Sequence, residues 1–339
     1  MAEKYRALTD NAHDKVNTSP KVGVLITNLG TPDQPSKRGL RRYLAEFLSD
    51  PRIVEIPRLL WLFILHGIIL NLRPKQSAKL YQSIWTTDGS PLLVISQRQR
   101  DAIAQALGDE VKVVLGMRYG NPSIPSALAQ LQHAGVRKII VLPLYPQYAA
   151  ATVGSTFDAV SRELQQWRWV PELHFLSGYC EHPQYAKALA ATMAEHQAAH
   201  GAPDKWIFSY HGTPKFCLEK GDPYYCFCVK TTRLAAEQAG LNPEDCLTTF
   251  QSRFGKAEWL KPYTEQTLKE LPGQGVKHIA ILSPAFSADC LETLEELEKE
   301  NREFFLAAGG EQYHYVPALN DRADHIEMLV DVLRKAGAV

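Results

Sequence analysis

Short apolar runs alternate with longer amphipathic stretches along most of the chain, and the runs stop at turn-forming residues. Val22 to Leu29 (VGVLITNL) reads as a buried strand ended by Gly30, Thr31 and Pro32. In the following SKRGLRRYLAEFLSD, residues Leu40, Tyr43, Leu44 and Phe47 recur at i, i+3, i+4 and i+7, which predicts a helix with one apolar face. A second helix is expected around Gln97 to Leu107. Strands are expected at Val111 to Leu115, Lys138 to Leu142 and Trp206 to Tyr210. Strands alternating with helices in this way predict parallel sheets covered by helices on both faces.

The second half of the chain echoes the first. NLGTP at 28 to 32 returns as YHGTP at 210 to 214, MRYG at 117 to 120 as SRFG at 252 to 255, and GVRKIIVL at 135 as GVKHIAIL at 275, in the same order. The pattern predicts an α/β chain of two similar Rossmann-like lobes, each a parallel sheet flanked by helices, with the active-site cleft between the carboxyl edges of the sheets. A polar arm over 1–20 precedes an N-terminal lobe over 21–160. The C-terminal lobe covers 161–339 and ends in a helix over 322–336. The boundary falls between about residues 150 and 172, after LYPQYAAATVGST and its helix.

At 339 residues the chain is long enough for two such lobes. Lysine plus arginine equals aspartate plus glutamate at 37 each, so no field of one sign points to nucleic acid as a partner, and a small ligand is the expectation. The polar N-terminus has no apolar core of a secretion signal, so a cytoplasmic protein is the expectation. One apolar stretch, Leu59 to Leu72 (LLWLFILHGIILNL), is shorter than the roughly 20 residues a spanning helix needs. It reads either as a buried core helix or as an apolar lip that touches a bilayer surface or a flat apolar ligand.

Candidate chemistry gathers in the second half. His211 is the last residue of its strand, where parallel sheets place ligand-binding groups. A helix from about Asp289 puts Glu292, Glu296 and Glu300 on one stripe at i, i+4 and i+8. Aligned like charges ask for a compensating cation, proton or solvent, so the stripe is either a solvated acidic face or a working one. A histidine opposite Glu292, with carboxylates stepping away behind, suits accepting protons from a substrate and handing over a divalent metal without enclosing it.

SYHGTP, GDPYY, QSRFG with EWLKPYT, ADCLETLEE and LYPQYAAATVGST, spread over nearly the whole chain, resemble the ferrochelatases, which insert ferrous iron into a porphyrin. The likeness is strongest to the bacterial enzymes that use protoporphyrin IX. The resemblance implies His211 as the catalytic imidazole, Glu292 as its paired carboxylate, and Glu296 and Glu300 as an acidic line on a helix with a widened, π-type turn. It implies Leu29, Arg118, Tyr119, Tyr148, Phe286 and Asp289 around the porphyrin. Iron is then a substrate, and weak peripheral contact with the membrane is expected through 59–72. Whether His211 serves as base or as metal ligand stays open. The other readings are a coproporphyrin ferrochelatase, a chelatase loading cobalt or nickel into an earlier tetrapyrrole, and a haem- or metal-binding module without turnover.

Cys217, Cys226 and Cys228 follow His211 as C-x8-C-x-C, a spacing that fits incidental thiols or cluster ligands. Cys180, at the end of FLSGYC, is the expected fourth ligand of a 2Fe-2S cluster, or failing that of zinc. Cys290 lies inside the LETLEE block and Cys246 opens a strand elsewhere. Animal members of the family hold a cluster through a cysteine in the LYPQY loop, but Ala150 stands at that position here.

Overall fold

A computed structural model describes Tyr5, residues 21–255 and residues 257–339, and the arm expected over 1–20 lies outside the described residues apart from Tyr5. The chain forms two compact units. Among the described residues from 21 onward, one comprises residues 21–144, 150–178 and 329–339, the other residues 145–149 and 179–328. A single cut near residue 160 therefore does not describe them. The last helix, Ala323–Lys335, begins in the second unit and ends in the first, where the Lys138 ammonium donates to the carbonyls of Ala336 at 3.1 Å and Gly337 at 3.2 Å.

The first unit holds strands β1 (Val22–Thr31), β2 (Val111–Gly120), β3 (Lys138–Pro143) and β4 (Glu172–Phe175), all parallel, in the order β2-β1-β3-β4. The second repeats that order with β5 (Lys205–His211), β6 (Cys246–Gln251), β7 (His278–Leu282) and β8 (Gln312–Tyr315), as β6-β5-β7-β8. The central strands are apolar on both faces, because helices cover both; Val24, Leu25 and Ile26 on β1 and Ile207 and Phe208 on β5 are fully buried. Polar residues end some strands, as Thr31 does on β1, His211 on β5 and Gln251 on β6. Ser36 caps the helix Lys37–Phe47 by accepting from the Gly39 amide at 3.1 Å, and Pro91 opens the helix Pro91–Leu107 at a position where no amide hydrogen is needed.

β1 and β2 run on past the apolar core as far as Thr31 and Gly120. Gly30 allows this: it has φ +104, and a Cβ there would sit 1.8 Å from the Tyr119 carbonyl oxygen. The apolar stretch at 59–72 is amphipathic. It folds as the helix Arg58–Ile64, a π-helical turn Leu65–Ile69 and the start of the helix Leu70–Ile84. Trp61, Leu65 and Leu70 are buried, whereas Leu59, Leu60, Phe63, Ile68 and Leu72 face solvent. No helix among the described residues is long and apolar enough to cross a membrane.

Candidate active site

β5 delivers His211 at its carboxyl end, beside Gln251 at the end of β6. The chain turns sharply after the imidazole. The Gly212 amide donates to the Gln251 carbonyl at 2.9 Å, and a Cβ on Gly212 would stand 2.8 Å from that oxygen, so only glycine lets the two strand ends approach so closely. His211 is half-buried and its Nδ1 lies 2.7 Å from the Gly212 carbonyl. A carbonyl oxygen has no proton to give, so Nδ1 carries the hydrogen and the neutral ring presents its lone pair at Nε2.

The acidic stripe lies on a π-helix, Glu292–Asn301, which runs into the α-helix Arg302–Ala307. The i→i+5 hydrogen bonding widens the turn, and such segments are concentrated at functional sites. The helix begins at Glu292 rather than near Asp289. Glu296 is the anchored member of the stripe. Its carboxylate accepts from the Ser252 amide at 2.7 Å, the Ser252 hydroxyl at 2.5 Å and the Gln251 amide nitrogen at 3.2 Å. Gln251 is itself fixed, donating to the Glu292 carbonyl at 2.9 Å and accepting from the Ser209 hydroxyl at 2.8 Å. Ser252 reaches this position by adopting φ +62, uncommon for a residue with a Cβ.

Burial, reinforced by the charge of Glu292, pushes the Glu296 carboxyl above its ordinary range, while the Ser252 and Gln251 donors and the charge of His211 pull it back. Glu300, toward solvent, is raised by partial burial and by the charges of Glu296, Glu265 and Glu303. Glu296 and Glu300 thus take protons more readily than free glutamates. Among the described residues no hydrogen bond or ion pair joins His211 directly to Glu292. Both act electrostatically on Glu296, and the Glu292 carboxylate accepts from the buried Cys290 thiol. Gln251 and Ser252 are residues whose task the sequence did not reveal; the repeated SRFG block marked the place, but the left-handed turn behind the clamp leaves no mark in residue type.

The other expected contacts are distributed differently. Asp289 is buried and spends its carboxylate within its own unit, on the Tyr315 hydroxyl at 2.6 Å, the Asn320 side chain at 2.7 Å and the Thr293 hydroxyl at 2.9 Å. Phe286 and Tyr148, in the same unit, are half-exposed. In the first unit Leu29 is half-exposed, but Tyr119 is fully buried. The Arg118 guanidinium pairs with Asp50 and donates to the Ser155 hydroxyl at 2.6 Å, while the Tyr119 hydroxyl donates to Asp50 at 2.9 Å. Burial would raise the Asp50 carboxyl, but Ser155, the Arg52 amide, Tyr119 and the Arg118 charge together hold it below its ordinary range. Arg118 and Tyr119 therefore build an internal polar clamp.

The cysteines do not assemble as expected. Cys226 is exposed and Cys228 fully buried on the helix Tyr224–Ala239, because residues two apart point to different sides of a helix. Burial pushes the Cys180 thiol up to about 11 and raises Cys228 as well, which disfavours the thiolates that a cluster needs. Among the described residues no three His, Cys, Asp or Glu side chains converge as a ready metal-holding group.

Two parallel-sheet units of one topology, with a histidine at a strand end and a ladder of carboxyls on a π-helix, define a protein of the chelatase fold. Two solved structures share it: SirB from Bacillus subtilis with Fe3+, with a TM-score of 0.58 at 11% identity over 94% of this chain and 96% of that one, and CbiX, described as the terminal enzyme for biosynthesis of sirohaem in denitrifying bacteria, with 0.52 at 13% over 93% and 99%. The sequence narrows the class, for the family model described as Ferrochelatase matches residues 21–336. The ferrochelatase of Hydrogenovibrio crunogenus is 56% identical over 97% of this chain and 89% of its own length, and ferrochelatase 2 of Shewanella oneidensis is 56% identical over 93% and 97%. The chain belongs to the ferrochelatase family.

Proposed function

We propose that the protein inserts ferrous iron into protoporphyrin IX, giving protohaem and releasing the two pyrrole protons. The observation that carries this reading is the Nε2 lone pair of His211 at the carboxyl end of β5, backed by Glu296, a carboxyl raised above its ordinary range. Nε2 takes a pyrrole proton as the metal enters. The Glu296 carboxylate stabilises the imidazolium so formed and accepts the proton in turn, and Glu300, exposed and also raised, passes it toward solvent. Glu292, half-buried at the first turn of the π-helix, supplies negative charge to the approaching cation. Tyr148 and Phe286 of the second unit offer half-exposed surface to an apolar macrocycle, as Leu29 does in the first, while Arg118, Tyr119 and Asp289 are spent on hydrogen bonds within their own units.

An anaerobic assay with ferrous iron, offering protoporphyrin IX beside coproporphyrin III, tests the activity and the substrate together. His211→Ala is expected to abolish insertion while porphyrin binding, followed by fluorescence, persists. Turnover at the parent rate by that variant would remove the imidazole from the mechanism. The finer expectation, a 2Fe-2S cluster on Cys180, Cys217, Cys226 and Cys228, requires the first turn of the helix Tyr224–Ala239 to unwind, since Cys226 and Cys228 face apart on it. Iron and sulfide analysis of protein prepared without oxygen decides it: about two irons per chain, lost in Cys226→Ser, support the cluster, and colourless iron-free protein refutes it.

The exposed side chains Leu59, Leu60, Phe63, Ile68 and Leu72, flanked by exposed Arg58, Arg73 and Lys75, form an apolar patch rimmed by positive charge. It suits a weak peripheral contact with an anionic bilayer, where an apolar porphyrin partitions. A cytoplasmic protein meeting the inner face of the membrane fits this reading.

A further inference from the structure

Between the end of β7 at Leu282 and the π-helix Glu292–Asn301 the chain passes through residues 283–290, which lie in neither strand nor helix, carry Phe286 and lead into Glu292. Such a segment has no ladder of its own, so its buried backbone groups need partners from elsewhere. Asn320 supplies them. Its amide donates to the Ser287 carbonyl at 3.1 Å, its Oδ1 accepts from the Asp289 amide at 2.8 Å, and its Nδ2 donates to the Asp289 carboxylate at 2.7 Å. Its carbonyl accepts from Nδ1 of His325, at 2.7 Å, on the helix Ala323–Lys335. His325 is fully buried, and burial pushes it down to about 4, so the ring stays neutral and keeps its hydrogen on Nδ1. Asn320 holds φ +49, a left-handed conformation in which glycine is at ease and a residue with a Cβ is not. A turn alone would be served by glycine. What asparagine adds is an uncharged donor and an uncharged acceptor on one carbon, which match the carboxylate and the amide of a single residue.

We propose that Asn320 is a positioning residue for metal insertion: its side chain grips Asp289 by amide and carboxylate together, and so fixes Phe286 on one side of Asp289 and Glu292 on the other. This role rests on the function proposed above, in which Phe286 offers surface to the macrocycle and Glu292 offers charge to the cation. The grip reaches the π-helix through side chains as well as backbone. The other oxygen of Asp289 accepts from the Thr293 hydroxyl at 2.9 Å, and Thr293 follows Glu292 in the first turn; the Cys290 amide donates to that same hydroxyl at 3.0 Å. Tyr315 on β8 completes the anchorage, donating to Asp289 at 2.6 Å. Loosening the loop acts unequally on binding and on chemistry. Apolar contact with a porphyrin is non-directional and survives a small displacement, whereas a group misplaced by about 1 Å can cost up to about a hundredfold in rate.

Anaerobic insertion of ferrous iron into protoporphyrin IX by Asn320→Gly tests this, with Tm and porphyrin affinity, from fluorescence quenching, measured on the same protein. Glycine adopts the positive φ without strain and keeps the backbone bonds to Ser287 and His325, so the variant should fold with a Tm close to the parent's, but it has no amide for Asp289. Its kcat is expected to fall at least about tenfold, with porphyrin affinity within about twofold of the parent's. Asn320→Ala, which lacks the amide and keeps the strain, should show the same fall in kcat together with a lower Tm. Parent kcat in Asn320→Gly, or a fall that only matches its loss of folded protein or of porphyrin affinity, makes Asn320 a structural residue and overturns the assignment while the proposed activity stands. A parent chain that inserts no iron overturns the proposed activity, and the positioning role with it.

Discussion

Removing the hydroxyl of Ser252 asks whether Glu296 is a working proton acceptor or a buried strut. The hydroxyl donates to the Glu296 carboxylate at 2.5 Å, beside the 2.7 Å bond from the Ser252 amide and the 3.2 Å bond from Gln251. A hydrogen bond to a charged group contributes about 1.5–3 kcal/mol. Only the ionised carboxylate receives all three donors, so losing one favours the protonated form by roughly tenfold to a hundredfold, and the lower figure applies because Glu296 is half-buried and water takes up part of the loss. The Glu296 carboxyl is already raised, and Ser252→Ala raises it further.

If the ionised form accepts the proton from His211, activity falls as pH drops through the Glu296 titration, and the acid limb of the kcat profile moves to higher pH in the variant. On that limb Ser252→Ala is expected to turn over about tenfold more slowly than the parent, with the two converging at the alkaline end. The assay is anaerobic iron insertion into protoporphyrin across pH. Backbone strain is separated by Ser252→Gly, which also lacks the hydroxyl but adopts the observed φ of +62 without cost. Both variants should show the same displaced limb, while only Ser252→Ala keeps the strain. Profiles that superimpose on the parent would make Glu296 a structural carboxylate and return the proton to Glu292.

Asp50→Asn leaves Arg118 with no carboxylate in a buried site, a change that costs about 3–5 kcal/mol and is read as a lower Tm. Because the Asp50 carboxyl is held below its ordinary value, its stabilisation is complete above about pH 4 and is lost as pH falls through the lowered folded value, so parent and variant should converge in acid; a constant gap at every pH would refute the pairing. At the apolar patch, Phe63→Glu should release the protein from anionic vesicles with its Tm unchanged, since that ring is 77% exposed. Trp61→Glu should instead unfold it, since Trp61 is 7% exposed and its indole donates to the Leu48 carbonyl at 2.6 Å. Undiminished vesicle binding by folded Phe63→Glu removes the patch from any membrane role.

Much of the fold was legible because buried parallel strands are spelled as uninterrupted apolar runs. Val111 to Leu115 and Lys138 to Leu142 could be read directly. The ends were harder: β2 extends to Gly120 through Arg118 and Tyr119, whose polar atoms are satisfied by Asp50 and Ser155 from far along the chain, and no local pattern announces such partners. His211 was legible as the last residue of an apolar run. The stripe Glu292, Glu296 and Glu300 was legible as spacing, yet the spacing does not say which carboxyl is anchored. That depends on the backbone of Ser252, which is set by tertiary structure.

The internal repeat shows why matching blocks carry different chemistry. In the first unit, the arginine of MRYG turns inward and holds a buried aspartate. In the second, the matching Arg253 is exposed over the Tyr263 ring, at 4.8 Å, and Phe254 is 52% exposed. The inward polar task has passed to the first residue of SRFG, Ser252, which clamps Glu296 instead. An arginine inside the second clamp would hold Glu296 as a permanent anion, as Arg118 helps to hold Asp50. Neutral donors from a serine and a glutamine leave the carboxyl raised and able to exchange a proton, the property that the proposed relay from imidazole to solvent requires.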